Sequence, residues 1–505
     1  MDTIKLLTKS RYVNGLRCSK WLWLEFNRPE EIPAFSKEAQ YRFNEGHQVG
    51  EFAKKLFPDG IQVMEQLNPV KNDSESRELL KKRKTLFEAG FIHQNGLCYA
   101  RSDILVPVNS DEWDLYEVKG ATEVKEQYIW DVSFQNYIYK SIGLKIRNCF
   151  VLHVNNQYIK RGSIEPKEFF LPAPVDDEVN EEIGKVERNI KKMLEIISSK
   201  ECPQFKKGEE CHDDEFGVHA TDDFWKDHPE CDILDLYYGG KRAKELFDKD
   251  ILYIKDMEED HFTTRPQKKQ QKIQHIVHKS GEWHHDKKEL AKFIESLEYP
   301  LHFMDFETYS TAIPLYDNLK PYQAIPFQFS VHVIEKPGEK PTHHVFIASG
   351  DNDPRPDFAR ELRKALGNKG VVLVYYQHFE KARLKEIAEF FPEEAEWIEG
   401  VLKRMVDLYD PFKNFAYYHP SQKGSASLKR VLPALTGKSY DGMDISNGGE
   451  ASLSYLYITH GSYDGKKATI EEIKKIRADL DRYCGQDTEG MIWILEKLEC
   501  LIKEK

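Results

Sequence analysis

Acidic residues at two distant places in the chain have the spacing expected of a metal site. Asp305 and Glu307 end an apolar run that begins at Leu301, and residues two apart in a β-strand point to the same face. Tyr483 and Asp487 are four residues apart, which places them on one face of a helix. Carboxylates gathered in this way repel one another unless a divalent cation lies between them. The pattern predicts a metal-dependent phosphoryl-transfer site of the kind that cuts nucleic acid.

The bulk properties of the chain are compatible with such an enzyme. Its 505 residues are enough for two to four domains. The net charge of −12 disfavours a protein that coats DNA without selectivity, although a local basic groove can still follow a phosphate backbone. No apolar stretch reaches membrane-spanning length, and the first residues lack the pattern of a signal peptide. We therefore expect a soluble, cytoplasmic protein without a membrane partner; the oligomeric state stays open.

The order of helical and strand patterns predicts a mixed α/β fold. In the first half the predicted elements are helices over 41–56, 74–87, 127–140 and 178–199, a strand-rich block over 96–120 and a strand over 149–154. In the second half they are strands over 301–306, 326–334, 342–348 and 371–376, and helices over 357–367, 380–391, 394–404, 425–434 and 470–500. We predict an N-terminal domain over residues 1–235, a helical connector over 236–295 and a C-terminal domain over 296–505.

The first half carries its own group of ionisable residues. Glu117 and Lys119 share one face of a predicted strand, and Asp103 lies beside them if the strands pair as a hairpin. Two carboxylates can hold a metal that lowers the pKa of bound water, and a lysine supplies positive charge where the phosphoryl group becomes negative. Taken alone, Asp103 and the Glu117-x-Lys119 pair are also compatible with a surface salt bridge.

The full order of residues narrows the choice. His47, Asp103, Glu117-x-Lys119 and Gln135-x-x-x-Tyr139 together resemble the PD-(D/E)XK nucleases of the RecB type, including the CRISPR-associated RecB-like exonucleases. The resemblance covers roughly residues 10–235 and implies a restriction-endonuclease-like domain. It also implies that His47, Asp103 and Glu117 are metal ligands, that Lys119 is the catalytic cation, and that Gln135 and Tyr139 contact DNA.

The cysteines fit the same resemblance. Several nucleases of that class hold a [4Fe-4S] cluster with one cysteine before the nuclease core and three after it, the order in which Cys18, Cys202, Cys211 and Cys231 occur. Nineteen residues separate Cys211 from Cys231, and three histidines lie between them. A Zn²⁺ site using cysteine and histidine is therefore an alternative, and cysteines without a ligand are a third.

The second half resembles the DnaQ-like, RNase H-fold 3′–5′ exonucleases of the DEDD class. Asp305-x-Glu307 matches their first motif, Glu380 follows a strand at the place of the second, and Tyr483-x-x-x-Asp487 matches the third. The resemblance implies that Asp305, Glu307, Glu380 and Asp487 surround two metal ions and that Tyr483 orients the attacking water. The class has Asp where this chain has Glu380, and Asp407 is the substitute ligand if Glu380 does not serve.

A predicted helix start after Gly424 adds a candidate phosphate contact. Ser425 and Lys429 lie in this segment, where hydroxyls, backbone amides and an ammonium group suit a nucleic-acid backbone. An ordinary helix cap by Ser425 or Ser427 explains the serines equally well.

The arrangement as a whole resembles a prokaryotic family of unknown function that joins a RecB-type nuclease to a DnaQ-like exonuclease. It predicts a nuclease dependent on Mg²⁺ or Mn²⁺, with a 3′–5′ exonuclease site in the C-terminal half and a second DNA-cutting site in the N-terminal half. The expected partner is single-stranded DNA, with RNA open. Two alternatives remain: one half is an inactive nucleic-acid-binding platform, or the cysteines make the protein a redox- or metal-sensing regulator.

Overall fold

The computed structural model of the protein describes residues 6–204, 230–462 and 465–503. These residues form two compact units, of which unit 1 comprises 6–204 and 311–323, and unit 2 comprises 230–310, 324–462 and 465–503. The predicted end of the first domain at residue 235 is close to this division. The predicted connector over 236–295 belongs to unit 2, and the short segment 311–323 of the second half belongs to unit 1.

Unit 1 contains a mixed six-stranded sheet, a small three-stranded sheet and surrounding helices. Its helices are α1 (Lys9–Arg17), α2 (Ser19–Asn27), α3 (Lys37–Ala53), α4 (Pro69–Leu80), α5 (Glu126–Ser141), α6 (Pro166–Phe169) and α7 (Asp176–Ser198). Its strands are β1 (Leu7–Thr8), β2 (Ile61–Gln62), β3 (Leu86–Phe87), β4 (Gly90–Ile92), β5 (Cys98–Arg101), β6 (Ile104–Pro107), β7 (Glu112–Lys119), β8 (Lys145–Val154) and β9 (Phe170–Pro174).

The larger sheet of unit 1 has the order β2-β3-β6-β7-β8-β9. Strand β7 lies between β6, which is antiparallel to it, and β8, which is parallel. Apolar residues of β7 and β8, including Leu115 and Val151, pack with Phe134 of α5, Tyr12 of α1 and Val186 of α7. This core fixes α5 across the end of β7 at which Glu117 and Lys119 lie.

Unit 2 is built around a five-stranded sheet. Its helices are α8 (Gly240–Asp248), α9 (Lys268–Ser280), α10 (Lys287–Glu295), α11 (Arg355–Leu366), α12 (His378–Phe390), α13 (Ala395–Lys403), α14 (Asp410–Lys413), α15 (Leu428–Thr436), α16 (Gly448–His460) and α17 (Ile470–Lys503). Its strands are β10 (His284–His285), β11 (Leu301–Tyr309), β12 (Ile325–Ile334), β13 (Thr342–Ile347), β14 (Val371–Val374), β15 (Met405–Asp407) and β16 (Tyr417–Tyr418).

The five-stranded sheet has the order β13-β12-β11-β14-β15, with β11 at its centre. Strands β12 and β13 continue the sheet in antiparallel fashion, while β14 and β15 run parallel to β11. The carboxyl ends of β11, β14 and β15 therefore meet at one edge, which is where ligands bind in many open α/β sheets. In unit 2, the segments that follow β11, β14 and β15 therefore begin at the same edge of the sheet.

The mixed α/β class predicted from sequence is confirmed, and most predicted elements are found with their ends shifted. The helix predicted over 74–87 is wrong at both ends, because it begins at Pro69 after the cap Asn68 and ends at Leu80. Arg83 then takes a left-handed conformation with φ 50°, and Leu86–Phe87 forms strand β3. Within the described residues, no helix has the length and apolar character needed to cross a membrane.

Candidate functional site

Strand β11 presents its two acidic residues to one face of the sheet of unit 2. Met304 and Phe306 point to the opposite face and join the apolar core there. Asp305 lies opposite Ser330 of β12, and Glu307 lies opposite Gln328. The prediction that Asp305 and Glu307 share one face of β11 is therefore confirmed.

Helix α17 covers the acidic face and is attached to it by buried polar contacts. The hydroxyl oxygens of Ser330 and Thr488 are 2.7 Å apart, and Nδ1 of His332 lies 2.8 Å from the same Thr488 oxygen. The Gln328 side-chain amide donates a hydrogen bond of 2.8 Å to the backbone carbonyl of Leu480. These contacts fix the rotation of α17 and so turn the face that bears Tyr483, Cys484 and Asp487 towards β11.

Glu380 reaches the same place from the first turn of α12, directly after β14. Its side chain is buried, and its Oε2 has no hydrogen-bond partner among the described residues. Asp407, the substitute considered from sequence, accepts hydrogen bonds from the backbone N–H groups of Tyr376, Gln377 and Tyr409 at 2.8, 3.0 and 3.1 Å. Asp407 thus serves the backbone, and Glu380 is the residue with an uncommitted carboxylate oxygen.

The four carboxylates share one electrostatic environment. Burial, with repulsion from Asp487 and then Glu307, raises the pKa of Asp305 well above its usual range. Burial and Asp487 likewise raise the pKa of Glu307. Burial raises the pKa of Glu380 to about 8 and that of Asp487 to about 6. In such a cluster the ionised carboxylates are destabilised by burial and mutual repulsion. A divalent cation bound between them offsets both effects.

Cys484 also belongs to this cluster, although it was not among the residues predicted from sequence. One carboxylate oxygen each of Asp305 and Glu307 and the Sγ of Cys484 all lie within 4.8 Å of one another. The Cys484 Sγ is 3.7 Å from Oδ2 of Asp305. Its position between Tyr483 and Asp487 on a helix face was the available signal, because residues three apart share a face.

Asp487 is held by a tyrosine and lies near a cation. The Tyr440 hydroxyl donates a hydrogen bond to Oδ1 of Asp487, and Tyr483 lies one helical turn before Asp487 on α17. The Lys429 ammonium lies over the rings of Tyr440 and Tyr483, 5.5 and 5.3 Å from their centroids. Its Nζ donates to the backbone carbonyl of Ser446 at 2.6 Å. Tyr440, which lies 47 residues before Asp487, had no sequence signal.

The cluster opens into a cavity of about 670 Å³. Acidic, aromatic and small polar side chains line it, together with Lys429. The predicted helix start after Gly424 lies on its wall, but helix α15 begins at Leu428 with Ser427 as its cap residue. Ser425 donates a hydrogen bond of 3.1 Å to the Ser427 hydroxyl. Both serines and Lys429 therefore face the same space as the four carboxylates.

In unit 1, Glu117 is surrounded by positive charge. Its Oε1 accepts hydrogen bonds from the ammonium groups of Lys119 at 2.7 Å and Lys9 at 2.6 Å. Its Oε2 accepts from the Gln135 side-chain amide at 2.8 Å. Lys119 also donates to Asp131 at 2.6 Å. The predicted pair of Glu117 and Lys119 is thus in direct contact.

Two members of this cluster were missed from sequence. Asp131 is one helical turn before Gln135 on α5, so the helical spacing was a usable signal. Lys9 is 108 residues away from Glu117 and gave none. Burial alone would raise the pKa of Glu117, but Lys119 and Lys9 outweigh it and hold that pKa well below its usual range.

Asp103 lies directly before the first residue of β6, and its Oδ2 accepts a hydrogen bond of 2.6 Å from the backbone N–H of Val118. Burial, with repulsion from Glu117, raises the pKa of Asp103 to about 7. His47 is exposed on α3, and its neighbour Gly46 lies close to Gly120 at the end of β7. The structure thus brings Asp103, Glu117 and Lys119 together and carries His47 on the adjacent helix.

Gln135 and Tyr139 make internal contacts. Both side chains are completely buried, and the Tyr139 hydroxyl donates to the carbonyl of Ala89 and accepts from the N–H of Ser102, each at 2.8 Å. In this structure Gln135 positions Glu117, and Tyr139 links the segment at Ala89 to the segment at Ser102. The predicted contact with DNA stays a prediction.

Two of the four predicted cluster cysteines share one apolar environment. Cys18 caps helix α2 and packs with Trp21, Trp23 and Cys202. Cys231 packs in a separate apolar group of unit 2 with Ile251 and Leu252. Cys211 lies outside the described residues. The iron–sulfur cluster and its Zn²⁺ alternative stay predictions.

A family model matches part of the second half of the chain. Residues 302–427 match a family described as a domain of unknown function (DUF2779). The matched segment contains Asp305, Glu307 and Glu380, and it ends before Lys429 and Asp487.

A relative from Ureaplasma parvum serovar 3, named Uncharacterized protein UU173, is 28% identical over 221 residues. The similarity covers 40% of this chain and 31% of the relative, so the chain spans less than a third of that protein's length.

Proposed function

We propose that unit 2 is a metal-dependent 3′–5′ exonuclease that hydrolyses phosphodiester bonds of single-stranded nucleic acid. The observation that carries the proposal is the convergence of Asp305, Glu307, Glu380 and Asp487 from β11, α12 and α17 on one cavity. The central position of β11 in a mixed sheet supports the finer interpretation, an RNase H-like domain of the DnaQ type.

The residues present suit Mg²⁺ or Mn²⁺. Carboxylate oxygens are the ligands these ions prefer, and Glu380 offers a buried oxygen without a partner among the described residues. Such an ion, when bound, activates water and stabilises the charge that develops on the phosphate. Asp305, Glu307, Glu380 and Asp487 would hold it.

The surrounding side chains have separate roles in the proposed reaction. Tyr440 fixes the orientation of Asp487 through a hydrogen bond, and Tyr483 lines the same cavity. Lys429 places positive charge beside the carboxylates, where it offsets the phosphate that enters the cavity. Ser425 and Ser427 lie on the same wall of the cavity as Lys429. Their hydroxyls can donate hydrogen bonds to the phosphate backbone of a bound nucleic acid.

We propose a second, DNA-cutting site in unit 1, of the PD-(D/E)XK type. The grouping of Asp103, Glu117 and Lys119 at the end of β7 supports it. Both oxygens of Glu117 are bonded to Lys9, Lys119 and Gln135, so a metal ion has to compete with two ammonium groups there. This competition favours unit 2 as the stronger metal site. A weak metal site in unit 1 is also what we expect if unit 1 only binds nucleic acid and does not cut it.

The test is digestion of end-labelled single-stranded DNA, duplex DNA and single-stranded RNA with Mn²⁺. Wild-type protein should release nucleotides from the 3′ end of a single strand, and Asp305→Asn should lose this activity because a ligand on the central strand is gone. Asp357→Asn removes an exposed carboxylate of the same unit and should trim like wild type. Continued 3′ trimming by Asp305→Asn would refute the assignment.

A further inference from the structure

Two tyrosines stand exposed at the rim of the cavity in unit 2. The side chain of Tyr238 is 67% exposed and that of Tyr376 is 52% exposed, and both line the cavity that contains the acidic cluster. They come from distant segments, one before α8 and the other between β14 and α12. Large aromatic side chains with this much exposure at a concave site are typical of binding surfaces.

The backbone at both tyrosines is in the left-handed region. The φ angle is 47° at Tyr238 and 71° at Tyr376. Few residues other than glycine adopt such a conformation, and bulky side chains do so rarely. Residues held in this region concentrate at functional sites, where surrounding contacts enforce the conformation.

Such enforcing contacts are present at Tyr376. Both oxygens of the buried Asp407 carboxylate accept backbone hydrogen bonds here, from Tyr376 at 2.8 Å and from Gln377 at 3.0 Å. The ring of Tyr376 meets that of Tyr409 edge-on, with centroids 5.5 Å apart. The conformation is therefore maintained by a carboxylate whose hydrogen bonds come from backbone N–H groups.

The segment around Tyr238 is held in an equivalent way by two buried glutamines of α9. Gln274 accepts a hydrogen bond of 2.8 Å from the N–H of Tyr237, and Gln271 donates one of 2.9 Å to the Tyr237 carbonyl. Both glutamine side chains are completely buried. The ring of Tyr238 packs edge-on against Tyr237, with centroids 4.7 Å apart.

The cavity behind the two rings has the chemistry of a nucleotide site. Its volume of about 670 Å³ lies within the range that takes small-molecule groups. Lys429 and Ser425 offer a cation and a hydroxyl for a phosphate, and the carboxylates lie deeper on β11 and α17. An aromatic rim above a phosphate-binding wall is the combination that single-strand-binding proteins use.

We propose that Tyr238 and Tyr376 stack on unpaired bases at the 3′ end of a single strand. This inference rests on the proposed nuclease function and adds how the site selects its substrate. Every base has an aromatic face, so the two rings accept a strand without sequence preference. A base inside a duplex already has both faces stacked, so the two tyrosines favour a frayed or single-stranded end.

The test uses a single-stranded DNA that carries the fluorescent base 2-aminopurine at its 3′ terminus. It is bound to the Asp305→Asn protein, so that binding is read without cutting. Stacking should quench the fluorescence. Introducing Tyr238→Ala or Tyr376→Ala into the Asp305→Asn protein should weaken binding roughly 5- to 100-fold and restore the fluorescence. The Tyr→Phe replacements keep the ring and should retain binding and quenching. Trp283→Ala removes a partly exposed aromatic ring elsewhere in unit 2 and serves as the matched control.

The outcomes separate this inference from the function on which it rests. If the alanine variants bind and quench like their parent, or if the phenylalanine variants lose as much as the alanine variants, base stacking on these rings is refuted. Equally tight binding of a fully paired blunt end would refute it as well. If quenching follows the expected pattern while wild-type protein cuts no substrate, the stacking site stands and the nuclease proposal fails.

Discussion

At the scale of single residues, Cys484 differs from the other members of the acidic cluster in its donor atom. Carboxylate oxygens favour Mg²⁺ and Mn²⁺, whereas a thiolate favours softer ions such as Zn²⁺. Because the Sγ of Cys484 lies within 4.8 Å of oxygens from Asp305 and Glu307, a soft ion can use all three groups. The thiol therefore makes this site sensitive to the identity of the metal.

We predict that Zn²⁺ displaces Mn²⁺ from the wild-type protein more effectively than from Cys484→Ser. The loss of a thiolate ligand should raise the Zn²⁺ concentration needed by roughly tenfold or more. Electron paramagnetic resonance of the released Mn²⁺ measures the displacement directly. Cys500→Ser changes an exposed cysteine of the same helix and should behave like wild type. Equal Zn²⁺ sensitivity of Cys484→Ser and wild type would show that the thiol is not a ligand.

Lys119 is the residue on which the proposed site of unit 1 depends most. In the Asp305→Asn background, Lys119→Ala should reduce any remaining DNA cutting on the order of 10²-fold or more, because a positive group that stabilises the phosphate is lost. The measurement is the rate of product formation on labelled duplex and single-stranded DNA. Lys145→Ala removes an exposed lysine paired with Asp111 and is the control. Undiminished cutting by the Lys119→Ala protein would assign that activity elsewhere.

At the scale of elements, the sequence was most informative where local chemistry decides the structure. The alternation of acidic and apolar residues in β11 and the helical spacing in α17 were sufficient to place Asp305, Glu307, Tyr483 and Asp487. Helix α16 was not among the predicted elements, because Asn447 followed by two glycines is a pattern typical of turns as well as of helix starts. Asn447 is in fact the helix cap, and its side chain accepts a hydrogen bond from Glu450. The same asparagine serves turns and caps, so packing made the choice.

Gly424 gives a prediction at this scale, because it joins the wall of the cavity to the segment that bears Tyr238. Its φ angle is 67°, and a Cβ at this position would lie 1.9 Å from the carbonyl oxygen of Asp235. Gly442 also has a positive φ, of 79°, but a Cβ there would meet no described atom within 4 Å.

Gly442→Ala should therefore cost roughly 1–2 kcal/mol of unfolding free energy from the backbone conformation alone. Gly424→Ala should cost clearly more, because the backbone around Asp235 has to move as well. Urea unfolding of both variants measures the difference. Equal losses would mean that the contact with Asp235 imposes no constraint.

At the scale of the whole molecule, long-range contacts set the limit of prediction. The mixed α/β class follows from local patterns. The exchange of segment 311–323 into unit 1 depends on contacts such as that between the Ala312 N–H and Glu45, which are 267 residues apart. Lys9 and Tyr440 reach their clusters in the same way. Residue type and spacing do not identify such side chains, because their partners are distant in the sequence and become neighbours only in the folded chain.

The cluster of buried carboxylates also makes the stability of the metal-free protein depend on pH. Burial raises the pKa of Glu380 from 4.5 to about 8, and burial raises that of Asp487 from 3.8 to about 6. A carboxyl group whose pKa is higher in the folded state keeps its proton longer there than in the unfolded chain. The unfolded state then binds fewer protons between the two values, so folding stability falls as pH rises through this window.

We therefore predict that, with a chelator present, the unfolding free energy of unit 2 decreases as pH rises from about 5 to about 8. Glu380→Gln removes one of the titrating groups, and its stability should fall less steeply, whereas Glu399→Gln at an exposed position should match wild type. Mn²⁺ should restore more stability at the upper end of this range, because the ion binds the deprotonated carboxylates of the folded state. Urea titrations at several pH values measure each slope. A metal-free protein whose stability is constant or rises over this range would show that the carboxylates do not converge as the structure describes.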